Sequence, residues 1–454
     1  MARARIATAG VALLAAAACA STPPTDARVD APSAPEPAAA ADVAAPELTP
    51  RLTNVDSREG LSVIRVNDSI RYVEGINISS NTYAVETSDG FVIVDTSRGA
   101  AAAVHKRLLN ADGVENVRYI IVTHAHGDHN GGVPLWRSDG GRVVAHELYN
   151  EFLDYSQMLG GFFGRRTAAQ FQFVDGGLSA GGAPMAVNDP AFRPDITFDD
   201  EMTLNVGGLE FQLLHTPGET PDHLTLWVPE LKAAFVGDNL YESFPNIYTL
   251  RGTRPRWPLE YVAAIDRVLA LEPEIVLPSH GAPIVGRDAI VEQLTAYRDA
   301  IQHVHDEVVA GMNAGKSVRE VMADVDLPER FGLNEGYGKV SWSARGLYES
   351  YAGWFGGDPA EMYTNGWQGV SDEIVELSGG GAAIAAKARA MLDSGDAEGA
   401  LQLTSIGLEG APGDADLLNA RIDALEALLS ATANRNEAGW LQHGLRVARE
   451  ALAE

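Results

Sequence analysis

The sequence predicts an α/β domain followed by an all-helical one. Three observations carry this. Between Ser62 and Pro283, short runs rich in Val, Ile, Tyr and Phe alternate with amphipathic helical stretches. From Arg287 onward only helical periodicity remains. Several of the strand-like runs end in His, Asp or Glu, so the α/β part gathers metal-type donors at strand ends.

The elements follow in order. Arg3 and Arg5 precede an apolar run over 6–18, too short to span a bilayer, and Ala16-Ala17-Ala18 leads into Cys19, the sole cysteine of the 454 residues. Residues 1–19 therefore read as a lipoprotein-type signal with Cys19 as the lipidated residue; a plain secretory signal with an incidental cysteine is the alternative. Either implies export, to the periplasm or outer membrane, and a mature chain without an internal disulfide. Residues 20–55, rich in Ala and Pro, read as a disordered tether. The α/β domain is expected over 60–286, with strands at 70–78, 82–87, 91–95, 117–122, 209–215, 224–228, 233–237 and 274–277. Helices are expected at 99–110 and 261–271, and a Gly-rich loop at 175–189. The helical domain, 287–454, has helices expected over 289–311, 317–325 and 346–355. Helix pairs over 382–450 carry a small-residue pattern (Ala388, Gly395, Ala400, then Pro412 and Asp414) similar to a tetratricopeptide-like repeat. About two units suit packing or dimerisation better than a solenoid.

Formal net charge is −28, which argues against a nucleic-acid partner. An anionic substrate would need a local basic pocket to enter that field.

The segment Thr123-His124-Ala125-His126-Gly127-Asp128-His129 carries the chemistry. Three imidazoles and a carboxylate on one loop after a buried strand suit zinc, manganese or iron. Further donors follow later strands: His215 and then Pro217-Gly218-Glu219, Gly237-Asp238, and Ser279-His280-Gly281.

In that order these motifs resemble the metallo-β-lactamase superfamily, an αββα sandwich with two metals at one edge. Glu219, where the superfamily usually has His, resembles the alkyl sulfatase branch that degrades dodecyl sulfate. Asn246-Ile247-Tyr248-Thr249-Leu250-Arg251-Gly252 is similar to its sulfate-binding segment. Gly336-Tyr337-Gly338 and Tyr351-Ala352-Gly353-Trp354-Phe355 are similar to the start of its dimerisation domain. The resemblance implies two Zn2+ per chain. His124, His126 and Glu219 would hold one, Asp128, His129 and His280 the other, and Asp238 would bridge them where the family more often has Glu. It implies catalytic roles for Asp128, Arg251 and Asn246, with Asn246 and Arg251 as sulfate contacts. The implied activity is hydrolysis of alkyl sulfate esters by a metal-activated water, in a homodimer that meets a membrane only through its lipid anchor. It also leads one to expect a sterol-carrier-like domain, and no stretch of these residues reads as one.

Arg251, Arg254 and Arg256 make the densest basic cluster near these motifs, and guanidinium forks match tetrahedral oxyanions, so Arg256 joins the substrate candidates. The branch's sulfate-touching tyrosine is replaced in Gln170-Phe171-Gln172-Phe173. Phe162, Phe163, Phe171, Phe173, Phe244 and Trp257 divide between a tail groove and the core. His223 reads as a supporting or substrate-facing group, and His215, like His105 and His146, as structural. The rival readings are a hydrolase of the same fold acting on another ester, a phosphodiester or a lactam, and a non-enzymatic helical interaction module.

Overall fold

The computed structural model describes residues 51–56, 61–75, 79–171, 190–364 and 366–454. The signal and lipidation site at Cys19, the loop 175–189 and Phe173 lie outside them.

Strand-forming runs that are apolar on both sides have to be covered on both faces. Here they form two stacked sheets. The first has eight strands in chain order, from Arg51–Asp56 to Ile196–Phe198. Its first five strands are antiparallel, and Gly90–Val94, Val117–Ile121, Arg142–His146 and Ile196–Phe198 then run parallel. The second has six, from Glu201–Val206 to Ile284–Val285, with Ala233–Gly237 and Ile275–Pro278 as its parallel pair.

Side-chain alternation sorts the core into layers. Val92, Val94, Ile121 and Val144 meet Phe211, Leu213, Leu226 and Phe235 between the sheets. The alternate residues Phe91, Ile93 and Ile120 face outward onto Leu108, Leu109 and Trp136. On the other side Leu214, Ala234 and Val236 face Tyr261, Ile265, Leu294, Tyr297 and Leu347. The helices Pro258–Ala270, Arg287–Asn313 and Val340–Ala352 form that outer layer, and the result is the αββα sandwich. The short helix Ser371–Leu377 and then two packed helix pairs follow, Gly381–Asp393 with Ala397–Gly410 and Ala415–Ala431 with Arg435–Ala453. The caps are local: Asp396, Asp414 and Asn434 each accept a backbone N–H of the helix they open.

Some expected boundaries move. Arg51–Asp56, placed in the tether, pairs antiparallel with Leu61–Arg65, since a strand edge offers backbone partners to any extended neighbour. The strand expected over 70–78 is Ile70–Val73; beyond it the Gly75 N–H is drawn out of the ladder to Asn81 Oδ1, and residues 76–78 lie outside the described set. The helix expected over 346–355 is Val340–Ala352, closed by Gly353 at φ +76°. Two helices, Leu148–Met158 and Gly160–Gln170, were not expected.

The two sheets are tied together at one edge. Leu224 N–H donates to Thr123 O at 2.9 Å, Asn81 N–H to Ser279 O at 2.7 Å, and the Tyr83 hydroxyl to Pro278 O at 2.6 Å. The C-terminal ends of the parallel strands of both sheets meet there.

Candidate metal centre and active site

Each donor leaves the end of a strand. Val117–Ile121 leads into His124 and His126, and one helical turn, Gly127–Asn130, presents Asp128 and His129. Leu209–His215 leads to Glu219, Ala233–Gly237 to Asp238, and Ile275–Pro278 to His280. Gly237 (φ +53°) is needed at its position, because a Cβ there would overlap the His223 imidazole.

Two donor groups form. Ligand atoms of His124, His126, Glu219 and Asp238 lie within 4.8 Å of one another, as do those of Asp128, His129, Asp238 and His280. Asp238 belongs to both. His126 Nδ1 is 3.6 Å from Glu219 Oε1, His129 Nε2 is 3.3 Å from Asp238 Oδ2, and His280 Nε2 is 3.3 Å from Asp128 Oδ2.

The surroundings aim these atoms. His129 Nδ1 donates to Asp95 Oδ2 at 2.8 Å, and Thr123 Oγ1 lies 3.1 Å from His124 Nδ1, so in both rings Nε2 faces the site. Asp222 Oδ2 accepts the Ala125 N–H at 2.8 Å and pins the loop between His124 and His126. Asn239 Oδ1 accepts the Glu219 N–H at 3.0 Å. The Tyr241 hydroxyl donates to Asp238 Oδ2 at 2.6 Å. His223 Nε2 accepts the Asp238 N–H at 3.1 Å, which makes it a support for the bridging residue.

The donor set suits cations. His129 Nε2 and Asp238 Oδ1 are buried without a hydrogen-bond partner among the described residues. Burial favours neutral groups, yet Asp238, Asp95 and Asp128 hold the His129 imidazolium well above its ordinary range. Burial would also raise the Asp238 carboxyl, but His129 and His280 hold it below the usual carboxylate range. Glu219 is pushed up to about 7 by burial, against the pull of Arg256. Burial and neighbouring His129 keep His124 neutral. Carboxylate oxygens and imidazole nitrogens crowded this closely, with two buried donor atoms left unsatisfied, suit metal ions.

These groups open onto a cavity of about 1080 Å³. Its walls include His126, Asp128, Glu219, Asp238, His280 and Arg251, the aromatic rings of Phe152, Tyr155, Phe163 and Phe171, and Tyr337 from the helical part. Arg251 Nη2 is 3.5 Å from His126 Nε2.

Residues 76–280 match the metallo-beta-lactamase superfamily, and residues 317–450 match the alkyl sulfatase dimerisation family. The chain joins a metallo-beta-lactamase domain to an alkyl sulfatase dimerisation domain. A linear primary-alkylsulfatase from a Pseudomonas species is 31% identical over 300 residues, 61% of this chain and 57% of that protein. A second one, also from Pseudomonas, is 28% identical over 413 residues, 85% of this chain and 61% of that protein. The chain thus spans about three fifths of the length of these curated relatives. The solved structure of a stereoselective inverting sec-alkylsulfatase from Pseudomonas superposes with a TM-score of 0.77 at 23% identity, over 86% of this chain and 66% of that one, and has the same fold.

For this metallo-beta-lactamase domain the structure brings the seven sequence-derived metal candidates together and separates the basic cluster. Arg256 turns to Glu219 instead. It is buried, its Nη1 ion-pairs with Glu219 Oε2 and donates to Asn246 O at 2.7 Å, and it does not line the cavity. Asn246 is buried beside it and is also outside the lining. Arg254 bridges to Glu151 at 2.8 Å and stacks on Tyr155. Of the six aromatic candidates Phe163 and Phe171 line the cavity, whereas Phe244 is core and Phe162 and Trp257 are outside it. His215 stacks on His146 at 3.8 Å. Asp95, Phe152, Tyr155 and Tyr241 went unrecognised in the sequence, and Tyr337 was read there only as part of the dimerisation motif. Asp95 alone had a signal, as a carboxylate ending a predicted strand.

Proposed function

We propose that this chain is a dizinc hydrolase that cleaves sulfate esters of alkyl chains with a metal-activated water, and that it works as a homodimer. The carrying observation is Arg251: it lines the cavity beside the His126 donor group and has no carboxylate partner among the described residues. In a chain of net charge −28, a guanidinium that faces a metal site without an ion pair among the described residues is suited to an anionic, tetrahedral head group. The similarity to alkylsulfatases favours sulfate among such groups. Phe152, Tyr155, Phe163 and Phe171 supply an apolar wall for a tail.

Two zinc ions in these donor groups would lower the pKa of bound water towards about 7 and stabilise charge on the departing sulfate. The chain's own residues do the rest. Arg251 orients the sulfate oxygens, and Asp128 lines the cavity as an acceptor for the attacking water. Burial, with the charge of Glu219, pushes the Tyr337 hydroxyl up to about 12 and keeps it a donor.

The second copy would cover exposed apolar side chains of the dimerisation domain, among them Trp354, Phe355, Met362, Tyr363 and Trp367. Export with a lipidated Cys19 belongs to the same proposal and rests on Arg3, Arg5 and the apolar run before Cys19. The mass of the mature N-terminal peptide tests it.

The test of activity is sulfate release from a series of alkyl sulfates, with a phosphodiester and a lactam alongside and metal content measured. Two zinc per chain, release of sulfate, loss with a chelator and return with zinc are expected. Turnover of the phosphodiester or lactam with no sulfate release would overturn the reading.

A further inference from the structure

We propose that the first turns of the helix Arg435–Ala453, the last helix of the dimerisation domain, position the anion-binding wall of the active site. Gln170, Asn436, Trp440 and Arg166 are then positioning residues for Arg251 and Tyr337. The inference rests on the reading of Arg251 as the sulfate contact.

The link is a chain of buried polar bonds between segments far apart in sequence. Gln170 and Asn436 are both 0% exposed. Gln170 Nε2 donates to Asn436 Oδ1 at 2.9 Å and to Thr249 Oγ1 at 3.4 Å. Gln170 Oε1 accepts from Trp440 Nε1 at 3.3 Å. Thr249 stands two residues before Arg251. The Arg166 guanidinium, stacked 5.1 Å from the Trp440 ring centroid, donates from Nε to Arg251 O at 2.9 Å and from Nη2 to Leu250 O at 2.5 Å. The backbone that carries Arg251 is thus held from the C-terminal helix through two side chains.

A second arm reaches Tyr337. Asn436 Nδ2 donates to Tyr337 O at 2.9 Å, Asn434 Nδ2 to Glu335 O at 2.7 Å, and the Arg435 N–H to Gly336 O at 3.0 Å. One helix end therefore holds both cavity-lining loops. Amides buried this completely are costly unless every partner stays in place, so the cluster acts as a rigid unit. A guanidinium that must meet a sulfate bidentately is sensitive to displacements well below 1 Å. Close docking is also enforced at Gly439, where a Cβ would overlap the backbone carbonyl of Gln170.

Gly439→Ala is the sharpest probe. Alanine favours the helix itself over glycine, so any loss comes from docking. In the full-length, zinc-loaded protein, KM for octyl sulfate is expected to rise by about tenfold with kcat changed less than about twofold. The dissociation constant of inorganic sulfate, measured by calorimetry, should rise in parallel, while zinc content and molecular mass stay as in the wild type. Adding Gly439→Ala to Arg251→Ala should raise KM and weaken sulfate binding much less than it does in the wild type, because Arg251 is one of the two groups the strut positions. Unchanged sulfate affinity in Gly439→Ala, or an undiminished effect in the Arg251→Ala background, would overturn the proposal. Should Gly439→Ala fail to fold, Arg166→Lys tests the same link, since a single ammonium cannot reproduce the two-carbonyl fork; sulfate affinity equal to wild type then refutes it. If wild type binds sulfate but turns over no alkyl sulfate, the functional reading fails while the calorimetry still decides the strut.

Discussion

Asp95 and His129 are joined by a hydrogen bond of 2.8 Å between two fully buried side chains. Asp95 has no cavity contact, yet it accepts from His129 Nδ1, from the Thr123 backbone and hydroxyl, and from the Ser279 hydroxyl. It therefore sets both the tautomer of His129 and the spacing of two donor-bearing strand ends. Asp95→Asn removes the charge and offers an NH2 where donors already crowd. Metal affinity should fall by roughly 10–100-fold. Competition with a chromophoric chelator measures it, and an unchanged affinity would show that Asp95 does not tune the site.

What the sequence disclosed followed the physics of each signal. His124, His126, Asp128 and His129 stand on one short loop, so their density was visible without any fold. Glu219, Asp238 and His280 each stand alone after a strand, and only the order of motifs joined them. Asp95 stands alone too, and its role depends on a ring brought to it from another strand. Arg251, Arg254 and Arg256 looked alike because they are adjacent in sequence, but the chain turns there and sends them to the cavity, to Glu151 and to Glu219. The helices Leu148–Met158 and Gly160–Gln170 were not read from the sequence, and in the second one Gly160, Gly161 and Gly164 weaken the helical signal. The Gln170–Asn436 bond spans 266 positions, and no periodicity reports a contact of that kind.

Arg251 and Arg256 should separate cleanly in experiment. Arg256→Ala leaves Glu219 buried without its cation, which should destabilise the protein by about 3–5 kcal/mol and weaken metal retention. Arg251→Ala should leave metal content and the denaturation midpoint near wild type while raising KM for an alkyl sulfate by about tenfold or more. Denaturant unfolding, metal analysis and steady-state kinetics read the three effects. The opposite pattern would exchange the roles of the two arginines.

His105, which belongs to neither donor group, gives a pH signature of its own. Burial lowers its pKa to about 4, and its Nδ1 lies 3.0 Å from Thr82 Oγ1. Unfolded, the ring titrates near about 6.5. Between these values the unfolded chain binds the extra proton. This contribution is therefore fully present above about pH 6.5 and is lost as pH falls towards about 4, amounting to about 2 kcal/mol between pH 7 and 5. Denaturant midpoints at several pH values should show a shallower fall for His105→Asn than for wild type. Parallel curves would mean that His105 takes up its proton as readily in the fold as in the unfolded chain.

The dimerisation domain supplies the last expectation. Trp354 is 75% exposed, Tyr363 71% and Met362 59%, and Trp367 lies a few residues on. Large apolar side chains in such density on one short segment are normally covered by a partner. Trp354→Ser combined with Tyr363→Ser removes two of the largest without touching the cavity, whose lining includes neither. Light scattering should then report a mass about half that of wild type, with the hot-spot character of aromatic residues making two changes sufficient. A dimer of unchanged stability across a dilution series would place the interface elsewhere on the domain. Because neither residue belongs to the Gln170–Asn436 cluster, sulfate affinity in the resulting monomer should equal that of the dimer, which separates assembly from the positioning of Arg251.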